Sequence, residues 1–194
     1  SLFGITDGKA VGTYVEAEFN EFISDTYSHE AGNAAKGIDF PALNVDLKVT
    51  SIKQPQSSCP FRSATQKVFG LGYHLLVMVY DKTDDHKTKT ARLNILHVLF
   101  INASNTADFQ LTTGLQQIIR NDGNVEEIDA YLEDKNIPID AENRQKLAVQ
   151  ILKEPPTLGY LTISNALQWR LQYGRAIGVA KEGKVEGVID LIGK

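Results

Sequence analysis

Between residues 10 and 27 the apolar side chains Val11, Tyr14, Val15, Phe19, Phe22 and Ile23 recur at the spacing of one helix face, which predicts an amphipathic helix. A glycine- and asparagine-containing loop follows at 32–37. Residues 43–50 alternate strictly: Leu43, Val45, Leu47 and Val49 fall on one side, Asn44, Asp46, Lys48 and Thr50 on the other. That period of two predicts a strand with one buried face. A loop rich in Gln, Ser and Pro covers 54–60, and a helix is expected over 62–70. Residues 74–80 and 93–101 are almost continuously hydrophobic and dense in β-formers, as in central strands covered on both faces, with the polar stretch 81–90 joining them. After Asn102 the pattern becomes helical over 108–120, 125–134, 141–153 and 165–175, with breaks at Asp122-Gly123, Pro138 and Pro155-Pro156; residues 184–192 return as a last strand. The expected fold is α/β, a mixed β-sheet core flanked by helices with a helical C-terminal half.

Composition narrows the class. With 42% hydrophobic and 23% charged residues in 194, a wholly disordered chain is excluded and a single domain can bury its own core. Twenty basic against twenty-four acidic residues give a net charge of −4, which excludes a generally basic nucleic-acid coat but not an enzyme whose basic groups are locally clustered. A lone Cys59 makes no intramolecular disulfide and no zinc site, and it has no histidine near it in sequence to make it a nucleophile. The apolar runs 75–80 and 95–101 are too short to span a bilayer, and the start does not resemble a signal peptide, so a cytoplasmic protein with no membrane partner is expected. On that expectation the sequon at Asn102 is idle. His29, His74, His86 and His97 show no metal-ligand spacing. His74 and His97 read as satisfied sheet residues, and His29 as a possible phosphate contact. Lys82, His86, Lys87, Lys89 and Arg92 read as a solvated turn rather than a phosphate-binding run, and no glycine-rich loop suggests a nucleotide triphosphate site.

The strand at 43–50 carries the chemistry. Asp46 and Lys48 lie on one face about 7 Å apart at the usual rise per residue. Asp39 precedes Asp46 by seven positions, and a short strand at 38–40 turning into the longer one would bring both aspartates to one end. Two carboxylates and a lysine suit phosphodiester hydrolysis. Mg2+ takes one or two carboxylates together with water and phosphate oxygens, and an ammonium can steady developing negative charge.

Asp39, six intervening residues, then Asp46-Leu47-Lys48 resembles the PD-(D/E)xK signature of restriction endonucleases and archaeal Holliday-junction resolvases. Ile38 stands where that signature has proline, and the middle acid is aspartate rather than the commoner glutamate. Upstream, Gly12-Thr13-Tyr14-Val15-Glu16 is similar to the glycine-xxx-glutamate element of that superfamily's first helix. The resemblance covers roughly residues 10–101. It implies a restriction-endonuclease-like core over 1–101, with 102–194 completing the same domain as an extension for DNA recognition or dimerisation. It also implies Asp39, Asp46 and Glu16 as metal ligands, with Glu18 as the fallback for Glu16, and Lys48 as the group that positions or activates water. Mg2+ would be the cofactor, with Mn2+ as a substitute.

The long extension and the amide-rich loop point within that superfamily to a type II restriction endonuclease. Gln54, Gln56, Ser57 and Ser58 follow the catalytic strand, Arg62 and Lys67 extend that surface, and Asn165, Gln168 and Arg170 lie on an expected recognition helix. The implied partners are double-stranded DNA, a second copy in a homodimer, and a cognate DNA methyltransferase as a functional partner. Two alternatives stand beside this reading: a nuclease-fold module that binds DNA or protein without cutting, and a structure-specific nuclease of the Holliday-junction type.

Overall fold

A computed structural model describes residues 2–27, 37–59, 62–164 and 169–193. The chain forms two compact units, and it passes between them repeatedly. The first comprises residues 1–57, 73–101 and 177–194; the second comprises 58–72 and 102–176.

The first unit is built on a four-stranded mixed sheet of order β1-β3-β4-β7. Strand β1 (Val45–Ser51) runs parallel to β3 (His74–Asp85), while β3 with β4 (Thr90–Ile101) and β4 with β7 (Val188–Asp190) are antiparallel. Leu47, Leu75, Val77, Val79, Leu99, Ile101 and Val188 supply its core, each at 1% exposure or less. Helix α1 (Gly8–Thr26) begins where the Asp7 carboxylate accepts the Lys9 N–H, and it packs on β1. Its buried stripe is narrower than its apolar periodicity predicts: Val11 and Gly12 are buried, whereas Tyr14 and Phe22 are exposed. Strands β3 and β4 also run longer than their hydrophobic runs. They reach a tight turn where Asp85 Oδ1 accepts the Lys87 and Thr88 N–H groups, so most of 81–90 is strand rather than connecting loop. The outer part of β4 is not covered on both faces, since Ile95 and Leu96 are exposed.

The two histidines in these strands are satisfied. His74 stacks on Phe100, and His97 Nδ1 lies 2.7 Å from Asp190 Oδ2. Asp190 also accepts the Val98 N–H at 3.1 Å and the Ile192 N–H. Burial works to raise this carboxyl, but its His97 and backbone hydrogen bonds prevail and hold it below its ordinary 3.8. A depressed carboxylate stabilises the fold above its unfolded value and loses that contribution as pH falls through the folded one. The melting temperature of the wild type should therefore exceed that of Asp190→Asn at neutral pH, with the gap closing towards pH 3 in a series of thermal melts. A gap independent of pH would show that the carboxylate charge contributes nothing.

The second unit gathers α2 (Gln66–Phe69), α3 (Phe109–Arg120), α4 (Val125–Asp134) and α5 (Ala141–Lys153) around Val68, Leu111, Leu115, Ile128, Leu132, Leu147 and Ile151. Each long helix starts at a side-chain cap, Asp108, Asn124 or Asp140, and Asn124 with Glu127 completes a capping box. Helix α2 is shorter than the expected 62–70. It stops at Gly70, whose φ of +89° suits glycine and whose Cβ would strike the Ala103 carbonyl. A three-stranded sheet of order β2-β6-β5 joins β2 (Gln56–Cys59), β6 (Trp169–Gln172) and β5 (Thr162–Ile163). The helix expected over 165–175 is replaced over its described part: Trp169 to Gln172 is strand, and α6 (Gly174–Glu182) starts after it. Trp169, Leu171 and Tyr173 are buried while Arg170 and Gln172 are exposed, a period of two that overrides the helical propensity of Gln and Arg. The C-terminal half is therefore mixed rather than purely helical.

Candidate active site

Asp39 is set by the turn in front of β1. Phe40 and Val45 form a bridge with N–H to O distances of 2.9 and 3.1 Å, and Pro41 to Asn44 close the turn between them. Asn44 takes the left-handed φ of 56° that this turn needs, which asparagine tolerates. Phe40 packs edge-on against Phe19 of α1, ring centroids 6.2 Å apart, so the helix braces the segment that carries Asp39. Asp39 Oδ2 then accepts the Leu47 N–H at 2.8 Å. Its carboxylate is thereby fastened to the backbone between Asp46 and Lys48.

Asp46 and Lys48 stand on the same side of β1, with Lys48 Nζ 2.8 Å from Asp46 Oδ2. Asp46 is buried at 5% exposure, contrary to the open cleft that a strictly alternating strand suggests, because both faces of β1 are partly covered. Burial pushes the Asp46 carboxyl up to about 6; Lys48 pulls against that shift, and the hydrogen bond and charge of Asp39 add to it. Glu16 in α1 is raised for the same reasons, first by burial and then by the charge of Asp39, with Lys48 opposing. Glu16 and Asp46 therefore each feel the charges of Asp39 and Lys48, and Glu18 is exposed. Gly12, one turn before Glu16, lies under β1 with room for a methyl group 3.8 Å from the Val49 carbonyl oxygen.

Among the described residues, no three His, Cys, Asp or Glu side chains are gathered as a ready-made metal cage. Asp39 and Asp46 form a pair, which with water and phosphate is the set a hard divalent cation uses. The donors fit such an ion: they are oxygens, and the Asp39 and Asp46 carboxyls are close enough to share a hydrogen bond.

The sequence profile of the type II restriction enzyme NspV family matches residues 1–190. The chain belongs to the NspV family of type II restriction enzymes. A curated relative, the type II restriction enzyme NspV of Nostoc sp. (strain ATCC 29411 / PCC 7524), is 54% identical over 188 residues, covering 97% of this chain and 84% of the relative. No solved structure matches. The mixed sheet and the six helices of the described residues make a restriction-endonuclease-like α/β fold.

The residues expected to touch DNA in this NspV-family protein fall in different places. Gln54 is exposed in the turn after β1, and Gln56, Ser57 and Ser58 form most of β2, with Ser58 exposed. Arg62 and Arg170 are exposed. Asn165, Gln168 and His29 lie outside the described residues. Lys67 is a correction: at 5% exposure it belongs to the interior, where burial lowers its pKa and the Asp108 charge opposes that shift, so it offers nothing to a ligand. Thr50 is a positioning residue that sequence reading treated only as an outward strand position. Its hydroxyl accepts the Gln56 N–H at 3.0 Å and faces the Gln54 and Gln56 carbonyls, stapling the loop after the Asp46/Lys48 strand. The contact of Phe19 with Phe40 leaves no periodic trace either, although Phe19 itself falls on the apolar face predicted for the first helix. No helix is long and apolar enough to cross a membrane among the described residues.

Proposed function

We propose that this chain is a PD-(D/E)xK endonuclease that hydrolyses phosphodiester bonds of double-stranded DNA at a specific sequence, using Mg2+ or Mn2+. The observation that carries the reading is the mutual placement of Asp39, Asp46 and Lys48 around one strand, with Glu16 in electrostatic reach. Membership of a type II restriction enzyme family supports the substrate and the sequence specificity.

Asp39 and Asp46 would hold the cation, and Glu16 would be the auxiliary carboxylate. When bound, the ion neutralises phosphate charge and lowers the pKa of the attacking water. Lys48, its stem partly covered and its side chain 23% exposed, orients the water and offsets the charge that builds on the phosphoryl oxygens. Water oxygen bonds to phosphorus in line, one bridging P–O bond breaks, and a proton from the water ends on the leaving oxygen. The Leu47 N–H holds Asp39 in place throughout, so the strand acts as a rigid ruler between carboxylate and ammonium. A homodimer would address the two strands with two sites, a cognate methyltransferase would protect host DNA, and the working compartment is the cytoplasm.

Incubation of the purified chain with plasmid DNA tests the reading. Discrete fragments should appear with Mg2+ and vanish with EDTA, and sequencing their ends should return one short recognition sequence. A mobility shift without cutting would favour a binding module instead. Cleavage confined to four-way junctions would make the substrate a branched one.

A further inference from the structure

Resting on that endonuclease reading, we propose that the outward face of the β5–β6 ribbon reads base edges, with Arg170 and Gln172 as sequence-discriminating residues and Thr162 beside them. Two observations converge on this face. The strand places Trp169, Leu171 and Tyr173 in the core, at 1% exposure or less, so their neighbours Arg170 and Gln172 are forced to the opposite side, two positions apart. Thr162 is the cross-strand partner of Gln172, and its neighbour Ile163 is buried, which puts Thr162 on that same outward side.

The ribbon is fixed where Arg170 emerges. Ser164 Oγ accepts the Arg170 N–H at 3.0 Å, and the Ser164 N–H donates to the Arg170 carbonyl at 3.2 Å. A long side chain on a pinned backbone loses less freedom on binding than one on a loop. The functional groups then match duplex DNA. The outward positions Thr162, Ser164, Arg170 and Gln172 carry a guanidinium, an amide and hydroxyls but no carboxylate. Arg170 has no ion pair among the described residues, whereas Arg144 is held by Asp129 and Glu133. In the same unit Arg175 is exposed and makes no ion pair among the described residues, its guanidinium 3.7 Å over the Phe109 ring, a cation available to phosphate. β5 is the outer strand of a three-stranded sheet, and its Leu161 and Ile163 backbone groups are tied to the segment before α3. It is therefore the outward face of the paired strands, not an open edge, that can be presented to the DNA major groove. There the guanidinium fork pairs with guanine O6 and N7, and the glutamine amide with adenine N6 and N7.

The test uses a random duplex library in two arms: cleavage with Mg2+ by the wild type, Arg170→Ala, Arg170→Lys and Gln172→Ala, and binding selection with the same substitutions in an Asp46→Asn background. Arg170→Ala should cut the wild-type sequence roughly tenfold to a hundredfold less and accept other bases at a guanine position, with Arg170→Lys intermediate. Gln172→Ala should relax a different position, and Lys153→Ala, exposed elsewhere in the unit, should change neither rate nor preference. Unchanged base preference in both ribbon variants, whatever their rates, overturns the proposal. A fall in oligomeric state on Arg170→Ala by sedimentation would assign the face to a second copy and also overturns it. Failure of the endonuclease reading is distinct: the wild type would then not cut, and the binding arm alone would decide the ribbon, with loss of preference supporting it and absence of any preference rejecting it.

Discussion

Replacing Asp46 with asparagine is expected to reduce DNA cleavage by about a thousandfold or more, the scale of losing an electrostatic group that acts on the reacting atoms, while raising the thermal midpoint by roughly 2–4 °C. The two effects have one cause. Asp46 is a buried carboxylate beside a second one, and burial first, then Asp39, pushes its pKa up to about 6. Above that value the folded chain holds an ionised group in surroundings that favour the neutral form, so stability falls as pH rises towards and past 6. An amide keeps the shape and can still accept from Lys48 and donate to Asp39, but it brings no charge. Lys48→Met should abolish cleavage to a similar degree with the opposite effect on stability, because it leaves Asp46 buried without its cation. Plasmid cleavage time courses and thermal melts at pH 7.5 measure both. Near wild-type cutting by either variant would remove these residues from the chemistry. A drop in midpoint for Asp46→Asn would mean that its interaction with Lys48 outweighs its burial.

The largest stability loss is expected at Asp108. This residue is 6% exposed, and its two oxygens serve two elements: Oδ1 accepts the Leu111 N–H at 2.9 Å and caps α3, while Oδ2 accepts the Ile163 N–H at 2.8 Å and holds β5. Asp108→Ala removes a helix cap, about 1 kcal/mol. It also strands the buried Ile163 N–H at a further cost of about 1–3 kcal/mol. The buried Lys67 loses a compensating charge as well. A total near 3 kcal/mol corresponds to a fall of roughly 6–12 °C in melting temperature for a chain of this size. Asp108→Asn retains one acceptor oxygen and should recover about half of the loss. A change of under about 1 kcal/mol for the alanine variant, read by urea denaturation, would show that neither bond matters in the folded chain.

What the sequence revealed follows the reach of each signal. Period-two alternation marked β1 because Leu47 is buried and the strand is regular, and it put Asp46 beside Lys48 correctly. It misjudged the exposure of Asp46, since covering the second face of a strand depends on elements distant in the chain. The 169–173 part of the expected 165–175 helix was misread for a related reason: Gln, Arg and Leu favour helix singly, and the Trp169/Leu171/Tyr173 alternation gains meaning only when paired strands bury it. Motif spacing singled out Asp39 and Glu16, with Glu18 as the fallback; in the fold Glu16 is partly buried in reach of the Asp39 charge while Glu18 is exposed. Asn44, Thr50 and the Phe19–Phe40 contact set the site without leaving a pattern, because each acts through one tertiary partner.

The interleaving of the two compact units fixes when the four-stranded sheet can be finished. Strand β7, which closes it beside β4, is made only after all of residues 102–176. A nascent chain that has emerged only to residue 101 already carries Glu16, Asp39, Asp46 and Lys48, yet it lacks the strand whose Asp190 engages His97. Severing the polypeptide at that point would not release a self-sufficient nuclease piece, so functional bisection should be attempted in an exposed turn such as Lys87-Thr88, with both fragments supplied together.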